Sequence, residues 1–312
     1  MWRIQFAVSK SQIYNEIPMI RLDCSTAISA VICIVCALSN TAAAQPPVQP
    51  SATTRLVLAQ ATDPRNRPLV DVGPDDFVVS EAGGTREILS VRIADYPIVV
   101  AIDTRNGTKA DLPQMIQAAR RFIERLGADR PVVAATLGQS PHAIATFDEP
   151  RATMLERLAA LEPDMAPPEG AVPPQIMSGL AAAAGVLQAT ESLFSAVVML
   201  SAAPGDNAPA AAGNDPIAAI VRSDAVVHAI VNQSSGAAGV AELRRLVAQT
   251  RGELTAVYSA ASYQAALDRL ADRLSSELLI EYISPAGSKA TDVKVGIRTP
   301  GARVRGLGVA PR

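Results

Sequence analysis

The chain has 312 residues, of which 49% are hydrophobic and 4% aromatic, and its 28 basic and 30 acidic residues give a net charge of −2 at pH 7. This apolar content is sufficient for a substantial buried core and excludes a disordered chain. The nearly neutral charge leaves no basic surplus for nucleic acid or for an anionic membrane surface, so neither is expected as a partner.

The first 44 residues have the composition of a secretory signal peptide. Arg21 precedes the apolar run 27–38, and small side chains at 41–44 provide a cleavage site. We therefore predict cleavage after residue 44, with Met19 as a second candidate start, and a secreted or periplasmic protein. The apolar run is short for a membrane span, so no stable span is expected after cleavage. An uncleaved N-terminal anchor is the alternative.

The cysteines restrict the chemistry of the mature chain. Cys24, Cys33 and Cys36 are the three cysteines of the sequence, and all lie in the signal segment. Cleavage would therefore leave no disulfide, thiolate metal ligand or cysteine nucleophile. Residues 45–54, which are polar and rich in proline, are predicted to form a flexible lead-in.

A small antiparallel β unit is predicted over residues 55–95. Its strands alternate polar and apolar residues, and the run Glu81-Ala-Gly-Gly84 is a hairpin signal. The predicted strands are 55–61, 77–80 and 85–93. Two further alternating strands, 291–297 and 302–307, are predicted as a C-terminal hairpin within 285–312 that pairs with this unit.

Strands and helices alternate over residues 96–284, which predicts an α/β fold. The predicted strands are 98–102, 131–137, a polar edge strand at 141–147, and 195–201, 225–231, 253–257 and 277–283. The predicted helices are 111–126, which Asp111 would cap, and 151–161, 175–189, 215–221, 240–249 and 263–275. Because most of these strands are continuous apolar runs, we expect a doubly wound, mostly parallel sheet with helices on both faces. The terminal flanks would form the small accessory β unit.

The strand 98–102 is the central element of this prediction. Its sequence Ile-Val-Val-Ala-Ile is apolar throughout, and Asp103 follows it directly. Open α/β sheets bind their ligands beyond the carboxyl ends of the strands, so Asp103 marks a candidate site.

Three stretches of the sequence form a recognisable series: the lead-in 68–84 with its Gly-Pro-Asp-Asp-Phe turn, the strand 98–103 with the helix after it, and the closing segment from Ser284-Pro-Ala-Gly to Val304-Arg-Gly. They resemble the von Willebrand factor A domain of bacterial secreted proteins. Together they cover most of residues 55–307 in the family's order. The resemblance implies an A-domain fold, a metal-ion-dependent adhesion site and a role in binding other proteins.

The metal ligands that this resemblance implies are mostly replaced. The family holds Mg²⁺ or a related ion with hard oxygen ligands: Asp-x-Ser-x-Ser after the first strand, a Thr in a later loop and an Asp after the fourth strand. Asp103 matches the first Asp, but Arg105 and Gly107 occupy the serine positions. Ala171 and Val172 stand where the Thr is expected, and Ser201-Ala-Ala stands in place of Thr-Asp-Gly.

Arg105 would place a permanent cation beside the ion position, where its guanidinium could pair with Asp103 and substitute for the metal. We therefore predict that no divalent ion binds at the usual site. The alternative is a metal-dependent adhesion or assembly protein, with Mg²⁺ as cofactor and a site rebuilt from Asp103, Ser201 and Asp206.

Each candidate residue also has a purely structural interpretation. Asp103 could hydrogen-bond the backbone of the turn that follows it, and Arg105 could be a solvated loop residue rather than a contact for an acidic partner. His228 lies in the middle of an apolar strand, which favours a buried, hydrogen-bonded core residue. A hydrolase built from Ser201, His228 and Asp103 is the third hypothesis, but the sequence contains no Gly-x-Ser-x-Gly elbow.

The sequence therefore predicts a non-enzymatic, metal-independent protein-interaction module of the A-domain type, without a cofactor. A protein partner would bind the loops at the carboxyl edge of the sheet. The candidate contact residues are Asp103, Arg105, Gly107, Ala171, Ser201 and Asp206.

Overall fold

A computed structural model describes residues 53–165, 175–203, 215–233, 240–285, 290 and 292–310, which form one parallel and two antiparallel sheets with helices. The strands are β1 (Thr53–Thr62), β2 (Phe77–Glu81), β3 (Gly84–Arg86), β4 (Ile88–Ile93), β5 (Ile98–Ile102), β6 (Val132–Thr136), β7 (Ala196–Ser201), β8 (Val226–Asn232), β9 (Leu254–Val257), β10 (Glu277–Ser284), β11 (Lys294–Ile297) and β12 (Arg303–Ala310). The helices are α1 (Leu112–Arg125), α2 (Arg151–Ala159), α3 (Ile176–Gln188), α4 (Pro216–Arg222), α5 (Val240–Gln249) and α6 (Ser262–Leu274). The predicted signal segment lies outside the described residues.

The parallel sheet has the strand order β6-β5-β7-β8-β9, and every neighbouring pair in it is parallel. All five residues of β5 are buried, because helices cover both faces of the sheet. Ile98, Val100 and Ile102 pack in one core with α1, α2 and α6. Val99 and Ala101 pack in a second core with α3, α4 and α5. The predicted doubly wound α/β fold is confirmed.

The two antiparallel sheets form the accessory β unit. One has the order β12-β1-β10-β4 and the other the order β11-β2-β3. A third core lies between them, and it contains apolar side chains from β1, β2 and β10. Strands from both terminal flanks contribute to these sheets, as predicted.

The strand β10 corrects the predicted sheet membership. Residues 277–283 were expected to continue the parallel sheet, but β10 pairs antiparallel with β1 and β4. Leu279 packs in the core of α1 and α6, whereas Leu278 and Ile280 pack in the core between the antiparallel sheets. Burial on both faces gives β10 the apolar run Leu278-Leu279-Ile280, and such a run is typical of a parallel strand.

The predicted C-terminal hairpin is also corrected. β11 pairs with β2, whereas β12 pairs with β1, so the two strands belong to different sheets. The chain crosses from one sheet to the other in the intervening turn, where Gly301 has a φ of 75°. The predicted strand 85–93 divides in the same way, because β3 pairs with β2 and β4 pairs with β10.

Two local predictions are wrong. Residues 141–147 form an isolated antiparallel bridge between Ala143 and Ala135 rather than a strand, and Pro141 has no backbone N–H with which to extend it. Asp111 has helical backbone angles, φ −94° and ψ −15°, and its side chain does not cap α1. A capping side chain needs an extended backbone to reach the first N–H groups of the helix. Among the described residues, no helix has the length and apolarity needed to cross a membrane.

Candidate functional site

The candidate site lies where the order of the parallel strands reverses. The strand β5 has β6 on one side and β7 on the other, and both pairings are parallel. Such a reversal leaves a crevice at the carboxyl ends of the two central strands. Asp103 follows β5, and its backbone N–H donates to the carbonyl of Leu200 in β7 at 3.0 Å. Asp103 and Ser201 therefore lie side by side at this edge.

Four hydrogen-bond donors from the described residues contact the Asp103 carboxylate. Its Oδ1 accepts from Arg105 Nε at 2.9 Å and from the backbone N–H of Arg105 at 3.1 Å. Its Oδ2 accepts from a terminal guanidinium nitrogen of Arg105 at 2.8 Å and from Ser201 Oγ at 2.6 Å. An ionised carboxylate has about four lone-pair positions, so these donors use its acceptor capacity. The Asp103 side chain has 0% exposure and that of Arg105 has 12%.

Neighbouring backbone groups fix this pair in place. The guanidinium of Arg105 also donates to the carbonyl of Ala203, and Ser201 Oγ accepts from the N–H of Ala203 at 3.1 Å. Thr108 Oγ1 lies 2.8 Å from the carbonyl oxygen of Asp103 and 2.7 Å from that of Arg105. Gly107 lies against Ala203, since a Cβ added to it would be 3.4 Å from the Ala203 Cβ.

This donor set does not fit a divalent cation. A hard cation needs several oxygen ligands with free lone pairs, whereas the oxygens of Asp103 already accept from a fixed guanidinium. Within the described ranges, no group of three or more His, Cys, Asp or Glu side chains is arranged to hold a metal ion. The chemistry that this geometry provides is a charge-assisted bidentate pair that holds the β5 loop to the β7 loop.

A second polar network, which the sequence reasoning missed, lies next to this pair. The backbone N–H of Asp164 donates to the carbonyl of Thr104 at 2.7 Å, and its carboxylate accepts from Thr104 Oγ1 at 3.2 Å and from the Gln139 N–H at 2.6 Å. Gly138 makes this approach possible, because a Cβ there would overlap Asp164 Oδ2 and Thr104 Oγ1. Gln139 Nε2 donates to the carbonyl of Met165 at 2.9 Å. The loop after α2 is thereby fixed to β5 and β6.

A third set of contacts lies deeper and was also missed. Tyr263 on α6 is fully buried and donates its hydroxyl to the Ser201 carbonyl at 2.9 Å. Burial, together with the nearby carboxylates of Asp111 and Asp103, raises the pKa of Tyr263 well above its usual value. Asp111 accepts from Asn232 Nδ2 at 2.8 Å, which is the role it has instead of capping α1. The sequence contains a signal that could have indicated these contacts, because the apolar strands β7 and β8 each end in a polar residue, Ser201 and Asn232.

The candidate hydrolase residues do not form a triad. In the register of β7 and β8, His228 lies opposite Val198, whereas Ser201 lies opposite Val231 at the other end of the pair. His228 is buried, as predicted, and its Nδ1 contacts Arg273 at 3.0 Å. The hydroxyl of Ser201 contacts Asp103 and Ala203 instead.

Ala171 and Asp206, the other two predicted contact residues, lie outside the described residues. The structure therefore brings together Asp103, Arg105, Gly107 and Ser201 from the predicted set.

A groove of about 630 Å³ lies between α1 and the segment after α2. Its apolar lining includes Leu112, Pro113, Ile116 and Leu161. Its charged lining consists of the cations Lys109 and Arg120 and the carboxylate of Glu162. Met165, two residues beyond the groove residue Pro163, is 85% exposed. A large apolar side chain held in water, in a loop whose preceding residues line an apolar groove, is typical of an interaction surface.

An open parallel sheet with helices on both faces and a carboxylate at its topological switch point defines a doubly wound α/β domain. No family model matches this sequence, and no curated protein is significantly similar to it. Similar solved structures include von Willebrand factor A proteins at low sequence identity.

Three of these structures illustrate the degree of similarity. A von Willebrand factor type A protein from Catenulispora acidiphila is 10% identical, with a TM-score of 0.48 over 83% of this chain and 73% of its own. Proximal thread matrix protein 1 from the mussel byssus, with a zinc-occupied MIDAS motif, is 15% identical, with a TM-score of 0.45 over 62% of this chain and 48% of its own. An aerotolerance-related membrane protein from Bacteroides fragilis is 15% identical, with a TM-score of 0.40 over 57% of this chain and 98% of its own.

Proposed function

We propose that this protein is a metal-independent protein-interaction module that binds its partner at the carboxyl edge of the parallel sheet. The observation that carries the proposal is the saturation of Asp103 by Arg105 and Ser201. A carboxylate at a strand end has no acceptor position left for a bridging cation when an arginine already satisfies it. The partner must therefore be held by side chains of the surrounding loops.

The surface that we assign to the partner consists of the groove between α1 and the α2 loop, together with Met165. We call it the α1 groove surface. The contacts of Asp164 with Thr104 and Gln139 fix the loop that carries Met165 before any partner arrives. A preorganised loop loses less conformational entropy on binding than a mobile loop does. Lys109 and Arg120 outnumber the one acidic residue among the described groove residues, Glu162, and so favour a partner whose apolar contact residues are flanked by acidic ones.

The proposed function is non-enzymatic. His228 is the buried histidine of this unit, and it lies away from Ser201 along the β7–β8 register. The Ser201 hydroxyl donates to a carboxylate that already pairs with an arginine, so within the described ranges no free base is placed to activate it. A hydrolytic reaction at Ser201 would need a proton acceptor that this network does not provide.

We also propose that the module acts outside the cytoplasm, after removal of the segment up to residue 44. The apolar run 27–38 and the small residues that follow it support export. Mass spectrometry of the protein recovered from its source cells tests this directly: a mature N-terminus at Gln45 is expected, and a cytoplasmic chain that retains residues 19–44 would contradict it.

The function is tested by capture of the partner from the cell envelope on immobilised protein. The wild-type protein should retain a protein partner equally well in EDTA and in Mg²⁺. Met165→Asp should abolish capture, because it places a charge in the apolar contact. The matched control is Leu89→Asp, which makes the same change at an exposed apolar residue of the accessory β unit.

Two results would refute the proposal. Capture that needs Mg²⁺ and is lost in EDTA would establish the metal-dependent alternative. Equal loss in Met165→Asp and Leu89→Asp, with both variants folded by circular dichroism, would show that the α1 groove surface is not the binding surface.

A further inference from the structure

A separate pair of cavities lies at the opposite, amino-terminal end of the parallel sheet. There, helix α6 meets the four-stranded sheet β12-β1-β10-β4. One cavity has a volume of about 240 Å³, and a second of about 280 Å³ shares with it the residues Leu58, Tyr96, Val226, Arg251 and Leu307. The shared lining shows that the two cavities adjoin. The smaller one has room for about eight water molecules at roughly 30 Å³ each, which is enough for a small organic molecule.

One side of this space is apolar. Leu58 and Tyr96 are buried, and Val226 and Leu307 are half-buried against the main core. Phe194, which is also packed on that core, lines the adjoining cavity. Aliphatic and aromatic side chains of this kind suit the hydrocarbon body of a ligand.

The charged groups on the floor of the cavity largely satisfy one another. Arg273 is held between a Glu253 carboxylate oxygen and His228 Nδ1, and the hydroxyl of Tyr96 donates to Glu277 Oε2 at 2.5 Å. Arg251 and Arg305 also line the cavity, so Glu253 and Glu277 offset two of its three positive charges and leave no surplus for a multiply charged anion.

His228 provides one available donor in this space. A guanidinium nitrogen can only donate, so Nδ1 of His228 accepts from Arg273. Burial, followed by the charge of Arg273, lowers the pKa of His228 to about 3, so the ring is neutral and its proton is on Nε2. That N–H has no hydrogen-bond partner among the residues that the structure describes, and His228 lines the cavity.

Arg305 on β12 provides a cation. It is exposed, lines the smaller cavity and has no ion-pair partner within the described part of the chain. The guanidinium of Arg305 and the imidazole N–H of His228 are both hydrogen-bond donors, and together they can bind one carboxylate group.

We propose that this cavity binds a small monocarboxylate with an apolar body, its carboxylate on Arg305 and His228 and its hydrocarbon part against Leu58, Val226 and Leu307. The site is separate from the proposed protein-binding surface, so the two proposals stand or fall independently. Three arginines (Arg251, Arg273 and Arg305) against two glutamates leave the lining with a net charge of +1 when His228 is neutral, which favours a ligand with one negative charge.

The test uses the full chain, with benzoate as the probe and isothermal titration calorimetry as the readout. Benzoate should bind saturably, whereas benzyl alcohol, which has the same ring without the charge, should bind at least about tenfold more weakly. Inorganic phosphate should neither bind nor displace benzoate. Arg305→Ala should weaken benzoate binding at least about tenfold, and since Arg305 is exposed this variant should keep its fold.

The matched control is Arg303→Ala. Arg303 is an exposed arginine of the same strand, β12, but it does not line the cavity. It should bind benzoate like the wild type. The proposal is overturned if benzoate does not saturate, if Arg305→Ala binds it as tightly as Arg303→Ala does, or if benzyl alcohol or phosphate competes equally well.

Discussion

Replacement of Arg105 by alanine should destabilise the fold and at the same time expose Asp103 to cations. The variant removes two of the four donors of Asp103, which then keeps Ser201 Oγ and the backbone N–H of residue 105. The Asp103 side chain has 0% exposure in the wild-type protein, so in the variant its charge loses its counter-ion and regains only the water that fits into the space of the guanidinium.

The size of the effect follows from this burial. Loss of one partner of a buried ion pair costs about 3 to 5 kcal/mol, because an uncompensated charge remains. The two retained hydrogen bonds, and water that enters where the guanidinium was, reduce the cost to about 2 to 4 kcal/mol. At about 2 to 4 °C per kcal/mol for a domain of this size, the midpoint of thermal unfolding should fall by roughly 5 to 15 °C.

The assay compares urea unfolding of the wild type, Arg105→Ala and the double variant Arg105→Ala/Asp103→Asn. The double variant should recover part of the loss, because no buried charge remains in it. Arg120→Ala, at an exposed position of α1, is the control and should change stability by less than about 0.5 kcal/mol.

Calorimetry with Mn²⁺ provides the second readout. The wild type should show no binding, whereas Arg105→Ser/Gly107→Ser, which places a hydroxyl at each of the two positions near Asp103, should gain it. The Gly107 change is sterically acceptable because its Cβ would lie 3.4 Å from the Ala203 Cβ. A loss of less than about 0.5 kcal/mol in Arg105→Ala, or Mn²⁺ binding by the wild type, would refute the argument.

Three further predictions concern stability. The pKa of His228 is lowered to about 3 from 6.5, so its neutral form stabilises the fold above pH 6.5 and that contribution is lost as the pH falls towards 3. The free energy of unfolding, measured by urea titrations at stepped pH, should fall over this range by up to about 5 kcal/mol more in the wild type than in His228→Gln. If the free energies of the two proteins change in parallel with pH, the lowered pKa of His228 is refuted. Gly252→Ala should cost at least about 3 kcal/mol, because its Cβ would overlap the backbone carbonyl of Val227, whereas Gly185→Ala in α3, which has open space, should be neutral or stabilising. Gly138→Ala should displace the loop that carries Met165 and increase hydrogen exchange at Asp164 and Gln139, and unchanged protection there would contradict the role given to Asp164.

The parallel sheet could be predicted because its strands are buried on both faces and read as apolar runs. The same rule failed for β10, which is buried on both faces for a different reason, as it lies between the helical layer and the second antiparallel sheet. The predicted hairpin would pair β11 with β12, whereas β11 pairs with β2. This pairing depends on where the chain crosses from one sheet to the other, and the periodicity of a strand's own sequence carries no information about that crossing.

The site shows the same division between local and distant contacts. The pairing of Arg105 with Asp103 could be predicted, since the two residues are separated by one position in a turn. The contacts of Asp164 with Thr104 and of Tyr263 with Ser201 join residues 60 and 62 positions apart. Such contacts depend on how the helices return to the sheet, which a single sequence does not specify.

The position of β1 between β10 and β12 sets an order of events in folding. The pairs that build the parallel sheet all lie between Ile98 and Val257, so that sheet can assemble while the rest of the chain is still being synthesised. The strand β1 can pair only after residues 277–310 have been synthesised, because Leu56 pairs with Glu281 on one side and with Ala310 on the other. Contacts of such long sequence separation form slowly. The accessory sheet is therefore completed last, and loss of a few residues from the end of β12 would leave an edge of the first strand open.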